Sequence, residues 1–470
     1  MIENNLVWLL DSYKHTHEKQ YPDGTEKVYS YFESRHGAEY NKTVFFGLQY
    51  ILKKWLTLRV TKEMIDEAEP ILKAHFFTNP GSFNRTKWDY IVEEHEGRFP
   101  IEIKAVPEGT KVDIANVMMT VVNTDDHNCH WVTNALETVL TQIWYPSVVA
   151  TRSNSIVEKI KEAFKRTSDN GFLAEYYLHD FAQRGVTCMD QAGIGGAAHL
   201  INSYGTDTLM SIPFAANYYG ADPLKIAFSV DATEHSVMSA LGEEGEIQHI
   251  RDIIKKFPKG ILSVVSDTYD ITRLVKIYCT SGKDGLKDEI LGRDGKFVVR
   301  PDSPRFEGDT PEKQVLWIIQ MLWENFSGEI NSKGFKVLNS KIGVIYGDSL
   351  TEKQIDTCLM SLESFGFSAE GCVYGQGGGL LQKVNRDTQR SAFKCSAQFR
   401  DGKWIDICKN PLDKSKASKK GLMKLVNGVD GHETVGLDDP RPDLLETVYL
   451  NGVITKEYTF DQVKENARKN

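Results

Sequence analysis

The stretch FVVRPDSPRFEGDTPEKQVLWIIQMLWENFSGEINSKGFKVLNSKIGVIYGD (residues 297–348) decides how this chain is read. It opens on an apolar, β-branched run, Phe297–Val299, that stops at the polar turn Arg300-Pro301-Asp302-Ser303. Within Thr310–Phe326, the residues Val315, Ile318, Ile319, Leu322 and Phe326 recur at helical spacing. A second apolar run, Ile342–Tyr346, stops at Gly347-Asp348. Strand, turn, helix and strand in this order predict a parallel βαβ unit, because parallel neighbours need a long crossover.

The rhythm extends on both sides. Ile226–Val230, Ile261–Val265 and Cys372–Tyr374 are further apolar runs, and the five strand starts lie 30 to 45 residues apart. Glu352–Phe365 carries Ile355, Cys358, Leu359 and Leu362 at helical spacing. This predicts an α/β domain over 146–390, an irregular (β/α) barrel with a doubly wound sheet as the alternative. Before about Tyr145 no βαβ rhythm is visible. Lys27–Phe32 and Ile101–Val106 alternate like half-buried strands, and Val117–Val122 is β-branched. After about Ser391 the chain turns lysine-rich (KNPLDKSKASKKG) and then closes in a hairpin, Glu446–Leu450 and Val453–Lys456 around Asn451-Gly452. Residues 1–145 together with 391–470 are expected to form one mixed, β-rich α+β domain.

In either α/β architecture chemistry gathers at the carboxyl ends of the strands. The five turns there read DATEHS (231–236), SDTYD (266–270), RPDS (300–303), GDS (347–349) and GQGGG (375–379). The glycines can offer backbone N–H groups to a phosphate, with Lys383, Arg386 and Arg300 as cationic partners. Asp302 and Asp348 suit Mg²⁺ or ribose hydroxyls. The implied ligand is a sugar phosphate with magnesium. None of these turns carries the lysine that a Schiff-base lyase would need.

Composition narrows the classes further. The 470 residues predict two to four domains at roughly 100–200 residues each. With 56 Lys and Arg against 65 Asp and Glu the net charge is −9, which argues against nucleic-acid binding. Seven scattered cysteines without a C-x-x-C pair argue against disulfides and structural zinc, and point to a reducing compartment. The apolar stretch Leu6–Leu10 is too short for a signal peptide, and no run is long enough to span a membrane, so a cytoplasmic protein is expected. A Walker loop is absent; Gly193–Ala198 fits G-x-G-x-x-A but lacks a preceding apolar strand. His127, Cys129 and His130 could ligate a metal, but with no fourth ligand nearby they read as polar residues at the surface.

The motifs DSYKHTH (11–17), YSYFESR (29–35), HDFAQRG (179–185), GTDT (205–208), EHS (234–236), VVSDTYD (264–270), RPDS, GD and GGGLLQK (377–383) together resemble the nicotinamide phosphoribosyltransferase family, in order and nearly end to end. The resemblance implies a type II phosphoribosyltransferase fold and a homodimer with shared active sites. It also implies a pentosyltransferase making nicotinamide mononucleotide and pyrophosphate from nicotinamide and 5-phosphoribosyl 1-pyrophosphate. Phe181 is expected to stack on the nicotinamide ring with the partner subunit's Tyr13 opposite. Asp207 is expected to accept from the carboxamide and reject nicotinate, and Ser229 is expected among the substrate-binding residues. Arg184 and Arg300 are expected at phosphate or pyrophosphate. Gly347, Asp348, Gly377, Gly378 and Arg386 are expected at the ribose and its 5′-phosphate, with Arg35 and Lys394, and less centrally Lys409 or Lys420, adding charge. His235 resembles a histidine phosphorylated by ATP, with Asp267 as its orienter and Asp302 as a catalytic carboxylate reaching Mg²⁺, through water or directly. Mg²⁺ and ATP are the implied cofactor and co-substrate. Nicotinate phosphoribosyltransferase is the near alternative, and Asp207 argues against it.

Overall fold

The computed structural model describes residues 1–125, 127–347, 350–410, 412 and 417–469. The chain forms two compact units. One comprises residues 1–151, 215–221 and 384–470; the other comprises 152–214 and 222–383.

The first unit is built on a seven-stranded antiparallel sheet. Its spatial order is Lys403–Asp406, Ser391–Arg400, Thr25–Ser34, Val117–Asn123, Ile101–Ala105, Glu446–Leu450 and Val453–Ile454. The Asn451-Gly452 turn places both residues at positive φ, 47° and 86°, so the two flanking strands pair Leu450 with Val453. That hairpin then pairs with Ile101–Ala105, so sequence-distant ends share one sheet.

The second unit is a curled, all-parallel sheet. Its strands run Gly205–Thr206, Leu178–Asp180, Cys372–Gln376, Ile342–Tyr346, Asp294–Arg300, Lys259–Val265 and Asp231–Ala232. Helices cover it because its outer face is apolar: Phe297, Val299, Val264 and Tyr374 are fully buried. Pro311–Phe326 buries Val315, Ile318, Ile319, Leu322 and Phe326, the residues expected from spacing. Glu352–Ser364 buries Ile355, Cys358, Leu359 and Leu362, and starts at a Thr351/Gln354 capping box.

One expected strand is displaced. Ile226–Val230 is not a ladder; only Phe228 bridges, in parallel to Gly205, and the pairing to the next strand falls on Asp231–Ala232. Residues 228–232 therefore touch both edges of the sheet and curl it towards closure. Their apolar character comes from lining the interior, where Phe228, Ser229 and Val230 all face a cavity. Leu178–Asp180 and Gly205–Thr206 are strands of three and two residues, too short to show a period. Gly193–Ala198 lies inside the helix Met189–Leu200, which excludes a dinucleotide turn there. Among the described residues no helix is long and apolar enough to cross a membrane.

Candidate active site

Phe181 leaves the carboxyl end of its strand with its N–H donated to Gln376 O at 2.8 Å. Its ring rests where two glycines leave room. A Cβ on Gly375 would lie 2.0 Å from the ring, and one on Gly347 would lie 2.9 Å away. The Arg300 guanidinium sits 4.9 Å from the ring centroid, a cation–π contact. Gly347, expected at the ribose, is thus also part of the floor under the aromatic ring.

Asp207 follows the neighbouring strand end. Its N–H bonds Asp180 O at 2.8 Å, and its Oδ1 lies 3.1 Å from His179 Nε2 and accepts from the Ser229 hydroxyl. Burial pushes this carboxyl up, but the His179 imidazole, the Ser229 hydroxyl and the Arg300 guanidinium outweigh it and hold Asp207 below the usual range. Beneath them Asp180 is fully buried. It accepts the Ala182 N–H at 2.8 Å and the Thr206 hydroxyl at 3.4 Å, while burial raises its pKa to about 6. Phe181, Asp207, Ser229 and Arg300 open into one cavity of about 580 Å³ that continues down the inside of the sheet.

A second cluster lies along the same rim. His235 begins the short helix His235–Met238, and Asp267 follows the Lys259–Val265 strand. Asp267 Oδ1 is 3.2 Å from His235 Nε2, while its Oδ2 accepts the Asp302 N–H at 3.1 Å and the Ser303 hydroxyl. That leaves His235 Nδ1 facing Asp302 Oδ2 at 4.0 Å. Arg300 reaches Asp302 Oδ1 at 3.6 Å, and its buried Nε has no hydrogen-bond partner among the described residues. The structure thus gathers His235, Asp267, Asp302 and Arg300 in one electrostatic group.

Gly377 caps the short turn Gly378–Leu381. Arg152 clamps that turn, donating to Gly379 O and Lys383 O, each at 2.8 Å. Arg184 stands exposed on the Gln183–Gly185 turn, off the cavity lining. Asp348 and Ser349 lie outside the described residues.

The remaining expected residues belong to the first unit. Lys394 is held below the usual lysine range by burial and by the nearby cations Arg35, Arg386 and Lys409, with Glu137 opposing them. Arg35, Arg386, Lys394 and Lys409 therefore form a basic cluster suited to an anion. Lys420 instead lies 3.9 Å from Asp406. Tyr13 is 56% exposed on the Ser12–Lys19 turn of helix. The run His127–His130 is not wholly at the surface as expected: His127 is exposed, but Cys129 and His130 are buried, and His130 Nδ1 faces His127 O at 2.7 Å.

Sequence reasoning did not single out His179, Asp180, Arg152 or Lys296. His179 and Asp180 stand beside Phe181 in HDFAQRG, so the motif held them without showing their partners. Arg152 gave no signal, since its acceptors lie more than two hundred residues away.

A parallel sheet curled around a cavity, with arginine, aspartate, histidine and glycine on its carboxyl rim, defines a phosphoribosyltransferase of the type II fold. Solved structures agree on that fold. Nicotinate-nucleotide pyrophosphorylase from Pyrococcus furiosus superposes with a TM-score of 0.62 at 14% identity, covering 99% of this chain and 96% of that one. Human nicotinic acid phosphoribosyltransferase gives 0.60 at 14%, covering 97% and 92%. The model of the nicotinamide phosphoribosyltransferase N-terminal domain matches residues 5–103, and that of the nicotinate phosphoribosyltransferase (NAPRTase) family matches 176–453. Proteins named nicotinamide phosphoribosyltransferase from Xanthomonas campestris pv. campestris and Acinetobacter baylyi are 40% and 32% identical. They cover 99% and 98% of this chain, and 98% and 96% of their own lengths. The chain belongs to the nicotinamide phosphoribosyltransferase family.

Proposed function

We propose that this enzyme transfers the 5-phosphoribosyl group of 5-phosphoribosyl 1-pyrophosphate to nicotinamide, releasing nicotinamide mononucleotide and pyrophosphate for NAD biosynthesis. The observation that carries this reading is the ionised Asp207 carboxylate beside the Phe181 ring at the mouth of the cavity. Phe181 supplies a flat apolar face for the pyridine ring. Asp207 accepts from the carboxamide NH₂, and the same charge repels the carboxylate of nicotinate.

The bond from C1′ to pyrophosphate loosens first, giving an oxocarbenium-like ribose, and the pyridine nitrogen attacks. That nitrogen carries no proton, so no general base is required. The protein's work is positioning and charge neutralisation. Arg300, with its unpartnered buried Nε, suits the pyrophosphate. The Gly377–Gly378 turn and Asp348 suit the 5′-phosphate and ribose, with Arg184 adding charge. The partner subunit's Tyr13 and the Arg35, Arg386 and Lys394 cluster would complete a site shared across a homodimer.

Mg²⁺ fits the rim. Asp267 is occupied by His235, Ser303 and the Asp302 N–H, whereas Asp302 presents a partly exposed carboxylate with hard oxygen donors. Asp302 would hold the ion, which when bound neutralises charge on the leaving group. ATP phosphorylation of His235 fits the same geometry. Asp267 fixes Nε2 and leaves Nδ1 as the nucleophile. A cytoplasmic setting fits seven cysteines of which no two are joined.

The test is product identification. Incubation with nicotinamide, 5-phosphoribosyl 1-pyrophosphate and Mg²⁺ is expected to yield nicotinamide mononucleotide and pyrophosphate in equal amounts. Pyrophosphate release without the mononucleotide would refute the reading.

A further inference from the structure

The cavity below the base pocket holds an amine that phosphoribosyl transfer does not use. Along Asp294–Arg300 the side chains alternate. Phe297 and Val299 are buried on the outer face, while Lys296, Val298 and Arg300 line the cavity. Arg300 stands at the carboxyl rim, and Lys296 lies four residues below it, about 13 Å along the strand at the usual rise. The lysine stem lies across Gly343, whose missing side chain makes the space: a Cβ there would sit 3.3 Å from Lys296 Cδ.

Lys296 Nζ makes no hydrogen bond or ion pair with any described residue, although Glu370 lines the same cavity and favours its charged form. The surrounding wall is apolar or aromatic, with Phe172, Tyr176, Ile261 and Val373. At about 580 Å³ the cavity has the size that accepts a drug-sized ligand, so a base at the rim leaves the lower part open.

We propose that Lys296 is a carbonyl-capturing amine and that the lower cavity accepts small aromatic aldehydes, which condense with it to an imine. The Nζ lone pair attacks the carbonyl carbon, and the carbonyl oxygen takes up a proton from the nitrogen to give a carbinolamine. That intermediate expels water, leaving the C=N bond; nothing is oxidised or reduced. Burial lowers the Lys296 pKa, with Glu370 opposing, and so enlarges the neutral, nucleophilic fraction. Glycine at position 343 keeps the stem ordered without crowding the nitrogen. The site is distinct in chemistry from the strand-end turns, which hold no such lysine.

The experiment treats the whole protein with pyridine-3-carboxaldehyde and cyanoborohydride at neutral pH and maps pyridylmethyl adducts by mass spectrometry. Labelling is expected at Lys296 before any surface lysine, and is expected to be lost in Lys296→Arg, which keeps the charge but forms no imine. Lys296→Met serves as a second variant, with circular dichroism confirming its fold. Labelling that follows surface exposure and passes over Lys296 would overturn the proposal. Turnover of nicotinamide by the same preparation is measured alongside, so failure to label an active enzyme counts against Lys296 alone.

Discussion

Gly375→Ala probes the base pocket without touching a charge. A Cβ at position 375 would lie 2.0 Å from Phe181 Cε2, against an optimal carbon contact of about 3.5 Å. The ring must therefore retreat by about 1.5 Å from the edge that Gly347 also faces, where a Cβ on that glycine would lie 2.9 Å from the same Cε2 atom. A shift of about 1 Å in a positioning group costs on the order of 100-fold, so kcat/KM for nicotinamide should fall by about 100-fold. Overpacking costs about 1–3 kcal/mol of stability, which a domain of this size survives. Steady-state kinetics on wild type, Gly375→Ala, Phe181→Leu and the double variant form a cycle. The glycine substitution should cost much less once the ring is gone. Wild-type kinetics in Gly375→Ala, or full additivity in the double variant, would refute the placement of Phe181 as the platform.

Three further outcomes are expected. Asp207→Asn should weaken nicotinamide use by about 10-fold, as a charge-assisted bond becomes a neutral one, and should raise nicotinate use; kcat/KM for both bases measures it. His235→Ala should abolish stimulation by ATP while leaving basal synthesis, read by product formation with and without ATP. Asp180 gives a pH signature. Its folded pKa of about 6 lies above the ordinary 3.8, so between these values the folded state binds more protons and stability falls as pH rises. The penalty is complete above about pH 6, on the order of 3 kcal/mol. Lowering the pH from 7 to 5 should therefore stabilise wild type relative to Asp180→Asn in parallel thermal melts.

Much of the barrel was legible because its strands are long enough to carry a period. Ile342–Tyr346 coincides with its expected bounds, and the helices Pro311–Phe326 and Glu352–Ser364 bury the residues that spacing selects. Leu178–Asp180 and Gly205–Thr206 were not legible, since two or three residues have no period. Ile226–Val230 misled because an apolar run can line a cavity as well as a sheet. Site residue types were readable at strand ends, but their pairing was not. That His179 and Ser229 hold Asp207, or that Asp267 takes Nε2 of His235, follows from contacts 22 to 32 residues apart in sequence. Lys296 stayed hidden because it sits at the amino end of its strand, away from the turns where chemistry is sought.

The central claim is that a carboxylate at Asp207 makes this a nicotinamide enzyme on a fold it shares with nicotinate enzymes. Its most direct test is the ratio of kcat/KM for nicotinamide over nicotinate, measured with 5-phosphoribosyl 1-pyrophosphate and Mg²⁺ in one assay. Two carboxylates about 4 Å apart repel by about 4 kcal/mol at an effective dielectric near 20, so nicotinamide should be favoured by at least about 100-fold. Equal use of the two bases, or a preference for nicotinate, would contradict the account.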